Sequence, residues 1–191
     1  MTEYWRLVLV FFATVNPAAV ALAAASASAP VASLQGLARR AVAAGIGVAV
    51  AGALFVGATL GAGRVLDALD IAPETFRIAA GIVMLIVGAN AVWHGTVAGE
   101  PAPDGWQAGV FPIGLPLLAG PASLIAAVSY AVDEGQVKTL GAAVIPLALA
   151  ALLIMAGVAR WRPAADAIAR LSGALLIALA CGLMVAGVRD I

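Results

Sequence analysis

FFATVNPAAVALAAASAS, residues 11–28, reads as an apolar helix except at its centre, where Asn16-Pro17 interrupts it. Proline inside a helix removes a backbone hydrogen bond and clashes with the preceding turn, at a cost of about 3 kcal/mol. Asparagine adds an amide that hydrocarbon cannot satisfy. A hydrophobic helix carrying both is either kinked for packing or opened for a purpose, and the rest of the chain decides between the two.

Composition sets the solvent. The chain has 191 residues, of which 64% are hydrophobic and 10% charged, against roughly 45–50% and 25% in soluble domains. Mean hydropathy is +1.09. That much apolar surface belongs to a polytopic membrane protein. A formal net charge of zero argues against nucleic acid as a partner, and no basic run marks a lipid-binding tail. The single cysteine, Cys181, lies in an apolar run and reads as a small buried hydrophobe, with no disulfide framework or thiolate metal site.

A bilayer core takes about 20 apolar residues per helix. Six such stretches occur, at residues 7–29, 41–63, 75–93, 108–132, 139–159 and 171–188. Tyr4, Trp5, Trp93, Trp106, Tyr130 and Trp161 fall at their ends, where amphipathic rings prefer the headgroup level. The first stretch ends in ASASAP, which has the small-residue look of a signal-peptide cleavage site. Glu3 offsets Arg6, however, and Asn16-Pro17 interrupts the apolar run, so it reads as a retained span.

The order of features repeats. Residues 111–128, FPIGLPLLAGPASLIAAV, crowd Pro112, Pro116 and Pro121 into one run, and Gly120-Pro121 sits in its span much as Asn16-Pro17 sits in the first. The third and sixth spans both open with an arginine, Arg77 or Arg170, shortly before a glycine, Gly81 or Gly173. The expected fold is an all-α membrane protein: one transmembrane domain, residues 1–191, of six helices. Residues 1–96 and 105–191 form two three-helix repeats, joined near 97–105. Three being odd, the second repeat enters the membrane inverted, with the first and fourth helices broken at matching places.

Non-helical backbone at membrane depth is tolerated where it is buried in protein or lines a cavity. The breaks therefore define the candidate substrate-binding residues: Thr14, Asn16, Pro17 and Ala18 from the first span, and Gly120, Pro121, Ala122 and Ser123 from the fourth. Asn90, inside the third span, adds an amide. Each polar member has a plain alternative as a group bonded to its own or a neighbouring helix, and Ser26, Ser28 and Ser129 are read that way. Arg77 and Arg170 read as headgroup anchors. Gly57 and Gly61, a G-x-x-x-G pair, read as close helix packing or a dimer face.

Charge limits the cargo. No Asp, Glu, Lys or Arg lies deep in a span, and the one histidine, His94, ends the third. A metal exporter needs carboxylate, thiolate or imidazole ligands in its path, and an extended cationic amino acid needs a fixed counter-charge. A small zwitterion fits instead, its carboxylate facing half-helix N-termini near Ala18 and Ala122 and its ammonium taking freed carbonyls. No nucleophile-base pair, P-loop or dinucleotide fingerprint occurs, so neither an enzyme nor a cofactor is expected.

The segments VNPAAV (15–20), FRIAAG (76–81) and LPLLAGPAS (115–123) resemble the motifs of the MarC family of bacterial inner-membrane proteins. That family is also described as neutral amino acid transporters and grouped with the LysE-type exporters. Ala122 stands where the family usually carries a second glycine. The resemblance implies six helices in the bacterial inner membrane and transport of small neutral amino acids such as glycine or alanine. The expectation is a carrier or facilitator working by alternating access. Its partners are a small zwitterionic substrate and membrane lipids, with a sodium ion and a second copy of the chain as candidates. The alternative is a membrane packing partner or regulator that transports nothing. Basic residues are shared evenly between the two faces, but the clusters Arg39-Arg40 and Arg160–Arg162 lie opposite the termini, which places both termini outside the cytoplasm.

Overall fold

The computed structural model describes residues 2–27, 34–95, 106–157 and 162–191. The expected joint at 97–105, together with Ser28, Arg160 and Trp161, lies outside them. The described residues are almost wholly helical. Helix α1 spans Thr2–Val15, α2 Pro17–Ala27, α3 Leu34–Ala68 and α4 Pro73–His94. A short turn, α5 (Trp106–Ala108), leads into an irregularly wound segment, Gly109–Leu118, followed by α6 (Pro121–Asp133), α7 (Gln136–Ala156) and α8 (Arg162–Arg189). Five stretches are long and apolar enough to cross a membrane. The pair Trp106–Leu118 and Pro121–Asp133, bent by 60°, makes a sixth if counted as one span.

Two helices overshoot the apolar stretches that announced them. α3 runs for 35 residues and α8 for 28. Hydropathy marks the apolar band, whereas the helices continue through charged turns at Arg39-Arg40, Arg64, Arg162 and Arg170. Arg170 therefore sits well inside α8, not in its opening turns.

The molecule is packed as lipid-facing helices are. Its interior is built from small residues, among them Ala51, Ala126, Ala142, Ala150 and Ala180, while Ile86, Leu152 and Leu171 point outward. Without a hydrophobic drive between helices in lipid, close backbone approach takes over as the cohesive term. The α4–α8 pair shows this most plainly. A Cβ at Gly88 would lie 2.9 Å from the Gly173 carbonyl oxygen, and one at Gly173 2.8 Å from that of Gly88. Gly81 sits as close to the Ala180 carbonyl (2.9 Å) and Gly187 to that of Glu74 (2.7 Å), while Gly95 abuts the Asp166 carboxylate. Every seventh residue of α4 thus meets every seventh residue of α8 running the other way.

The other contacts come in pairs. α2 packs on α7 and α8, as α6 packs on α3 and α4; α1 packs on α7, as segment 109–118 packs on α3. α3 also meets α7, and α1 meets α6 as α2 meets segment 109–118. The contacts of α1 with α8 and of α6 with α7 are much slighter in the opposite half. Both termini lie at one end: Tyr4 reaches Gly141 near the start of α7, and Arg77 near the start of α4 binds Asp190.

Several expectations need correction. Cys181 is exposed, on the outer face of α8. Tyr130, expected at the headgroup level, is buried in the core. Gly57 and Gly61 meet nothing within 4 Å, so they serve no packing inside this chain.

Candidate functional site

Asn16 is the one residue between α1 and α2, and its φ of 49° lies in the left-handed region that asparagine tolerates better than most side chains. The backbone ladder continues through it: its N–H donates to the Phe12 carbonyl at 3.0 Å and its own carbonyl accepts from Val20 N–H at 3.1 Å. Pro17 then opens α2 where its missing N–H costs least. The Asn16 Oδ1 accepts from Ala19 N–H (3.4 Å), capping α2, while Nδ2 donates to the Ala169 carbonyl of α8 (3.3 Å). Asparagine is thus both N-cap and bridge. The amide is satisfied, and none of its hydrogen bonds goes to residues 120–123.

The fourth span is interrupted more deeply. Phe111 (φ −138°, ψ 124°) and Leu115 (φ −128°, ψ 129°) are extended within an otherwise wound segment. Ala119 N–H closes a wide turn onto the Gly114 carbonyl at 3.0 Å. Gly109, Gly114 and Gly47 allow this irregular backbone to lie directly on α3, each meeting α3 or the segment at distances that leave no room for a side chain. Gly120 (φ −83°, ψ 170°) is the N-cap of α6 and Pro121 its first residue; no side chain caps that end. The Ser123 hydroxyl turns back to the Gly120 carbonyl (2.9 Å) and lies 3.3 Å from that of Leu118. Ala122 and Ser123 are fully buried.

The expected site residues therefore fall into two groups. Asn16, Pro17 and Ala18 lie against α8, where Ala18 and Leu22 pack on Ala165. At the start of α6 Ala122 and Ser123 are buried, Gly120 is half-buried and Pro121 is exposed. The groups are drawn toward each other because α1 packs on α6 and α2 on segment 109–118. Thr14 does not join them by a hydrogen bond; its hydroxyl donates to the Phe11 carbonyl one turn back (3.3 Å). Asn90 stands apart, exposed on α4 without a hydrogen-bond partner among the described residues.

Chemically the region is polar but uncharged. Residues 7–38 and 106–132 contain no Asp, Glu, Lys or Arg. What they offer is backbone: the first N–H groups of a buried helix, which lack partners in their own helix and carry partial positive charge, and carbonyls displaced from the regular ladder. Among the described residues no cluster of three His, Cys, Asp or Glu could hold a metal.

Sequence reasoning missed the charged cluster at the end of this arrangement. Arg77 donates Nε and Nη2 to the two Asp133 oxygens (2.9 and 2.7 Å) and Nη1 to Asp190. Arg170 donates to Asp166 (2.9 Å) and to the Val92 and Trp93 carbonyls at the end of α4 (2.7 and 3.3 Å). Both arginines are ties within the protein, not free headgroup anchors. The only signal in the sequence was that their partners also stand at helix ends.

The chain matches the family described as MarC family integral membrane protein over residues 1–191. It is 26% identical over 137 residues to UPF0056 membrane protein PH0214 of Pyrococcus horikoshii, an alignment covering 68% of each chain. No solved structure matches it. With the apolar helices described above, these findings identify a multi-pass membrane protein, and the chain belongs to the MarC family of integral membrane proteins.

Proposed function

We propose that the chain is a carrier of small neutral amino acids, working by alternating access around the interrupted stretches of its first and fourth spans. The observation that carries this reading is the start of α6. A helix begins inside an apolar span, with Ala122 and Ser123 of its first turn buried and no side chain capping it, in a region free of fixed charge. Such an end attracts a carboxylate, and displaced carbonyls nearby suit an ammonium. A zwitterion needs both and brings no net charge into the membrane.

The paired packing supports the inverted repeat that such carriers use. Exchanging α1 for segment 109–118, α2 for α6, α3 for α7 and α4 for α8 turns most of the main helix contacts into one another. The α4–α8 ladder survives the same exchange: the rung of Gly81 and Ala180 becomes that of Gly173 and Gly88, and Glu74 with Gly187 becomes Asp166 with Gly95. A pseudo-two-fold axis in the membrane plane, between α4 and α8, generates this pattern, and rocking about it would alternate the exposed side.

The test is uptake of labelled glycine and alanine into liposomes holding the purified chain. Saturable uptake, competed by other small neutral amino acids and not by lysine or glutamate, is the expected result. Failure to move any small neutral amino acid above protein-free liposomes would overturn the reading in favour of a membrane component that transports nothing.

A further inference from the structure

We propose that Arg77, Asp133 and Asp190 form a latch that shuts the terminus-bearing end of the transport path by holding α6 against the α4–α8 pair. This rests on the carrier reading above, for which it names a gate.

α6 is a rod with two unlike ends. Its inner end is a joint, where the chain bends by 60° around Ala119-Gly120 and one wide turn links it to the preceding segment. Its outer end is Asp133, gripped by both nitrogens of a guanidinium fork from α4, and the same guanidinium reaches Asp190 beyond the end of α8. A two-point fork fixes direction as well as distance. The side chains of Arg77 and Asp133 are only 18% and 17% exposed, so water and salt screen them less than an ordinary surface pair. One side chain thus ties three helices at the place where a hinged rod would swing.

Among the described residues the opposite half has no such tie. α2 is the counterpart of α6, and no charged residue occurs from 7 to 38, so its far end offers nothing for an arginine to grip. Arg170, one residue past the position equivalent to Arg77, binds Asp166 on its own helix and the last carbonyls of α4, fastening α8 to α4 rather than to α2. Among the described residues, closure by such a fork between α6 or its counterpart and the α4–α8 pair occurs at one end only. Opening there requires parting a guanidinium from two carboxylates at the membrane boundary, where an unpaired charge is costly. Removing the fork removes that penalty from the open state alone and shifts the population toward it.

Ser129 supplies the reporter. It lies one turn inward of Asp133, is 2% exposed, and its hydroxyl has no hydrogen-bond partner among the described residues, so Ser129→Cys changes little. With Cys181→Ala removing the exposed native thiol, the purified full chain is treated with a charged maleimide. Slow labelling is expected in the parent, and Arg77→Gln should raise the rate by about tenfold or more. The exchange Arg77→Asp with Asp133→Arg rebuilds the fork from the other side, with both carboxylates still facing a guanidinium, and should restore the slow rate. Asp166→Asn should leave it slow. A second reporter, Ala21→Cys, buried on α2, should stay unlabelled in every variant.

Labelling of Arg77→Gln as slow as the parent, or of the exchange as fast as Arg77→Gln, overturns the latch, as does a rise at both reporters, which marks general loosening. Should Arg77→Gln fail to fold, Asp133→Asn, which keeps Arg77 beside Asp190, carries the same prediction and the same refutation. No substrate enters this readout. A chain that moved no amino acid would leave the labelling result standing, and a failed latch would leave the uptake result standing.

Discussion

At the scale of single residues, Asn16 shows how far a side chain's type predicts its work. An amide beside a proline in an apolar helix is legible as something that needs a partner. The partner itself is not: Ala169 lies 153 residues away in sequence, and only packing brings its carbonyl within 3.3 Å. In the structure Asn16 has a double role as cap of α2 and bridge to α8. Loss of an N-cap costs about 0.5–2 kcal/mol, and forcing a larger side chain into the left-handed region adds about 1–2 kcal/mol. Asn16→Leu should therefore lower stability by about 2–3 kcal/mol, whereas Asn16→Gly, which accepts the backbone at no steric cost, should lose only a few tenths for the cap plus the bridge. Unfolding in detergent followed by circular dichroism checks the order. Equal losses for the two variants would show that φ at Asn16 carries none of the effect. Ser123 makes the contrast, because its bonds run to the Gly120 and Leu118 carbonyls of its own strand of chain, which the local sequence Gly-Pro-x-Ser already anticipates.

At the scale of elements, apolar length located the helices because lipid imposes it, and proline crowding located the bend before α6 because three prolines cannot share a regular ladder. Glycine spacing was harder to use. The G-x-x-x-G of α3 is the more familiar packing signal, yet a Cβ at Gly57 or Gly61 would meet nothing within 4 Å among the described residues, while the seven-residue steps in α4 and α8 bring those two helices into close backbone contact. Spacing tells which residues share a face; it does not tell which face finds a partner. The two sets should therefore respond differently. Gly88→Leu drives a side chain into the Gly173 backbone, which cannot yield as a flexible side chain can, so a loss of about 1–3 kcal/mol is expected. Gly61→Leu adds apolar surface to a face with open space beside it and should leave the chain's own unfolding midpoint within about 0.5 kcal/mol of the parent. Thermal unfolding of the two purified variants decides this. A larger loss at Gly61 than at Gly88 would mean that the outward face of α3 is covered in the folded protein, as it would be in a dimer.

At the scale of the whole molecule, the distribution of charge bears on what drives movement. The proposed inverted arrangement draws on the order of Asn-Pro, Gly-Pro and the two arginines, since a repeated plan would leave repeated punctuation even after residue identity has drifted. How Arg77 is used was not foreshadowed, because its partners stand at helix ends 56 and 113 residues away in sequence. Arg77 is committed to Asp133 and Asp190, Arg170 to Asp166, and Glu134 stands 3.9 Å from Lys138. His94 is exposed at the end of α4. Proton-coupled carriers place a titratable group where it alternates between two buried environments, since burial and a changing partner are what move its pKa across the working range. Along residues 7–38 and 106–132 there is no carboxylate, histidine or lysine to play that part. The oxygens present are uncharged, from Asn16, Ser123 and carbonyls such as those of Gly114 and Leu118, and they suit the substrate's ammonium or a sodium ion but hold no exchangeable proton at neutral pH. Uptake should therefore be facilitated, or driven by sodium, and indifferent to an imposed pH gradient. Liposomes loaded to create that gradient without sodium provide the check. Accumulation above the external concentration, abolished by a protonophore, would require a proton-binding group in the path and would refute this assignment of the charges to latches and helix ends.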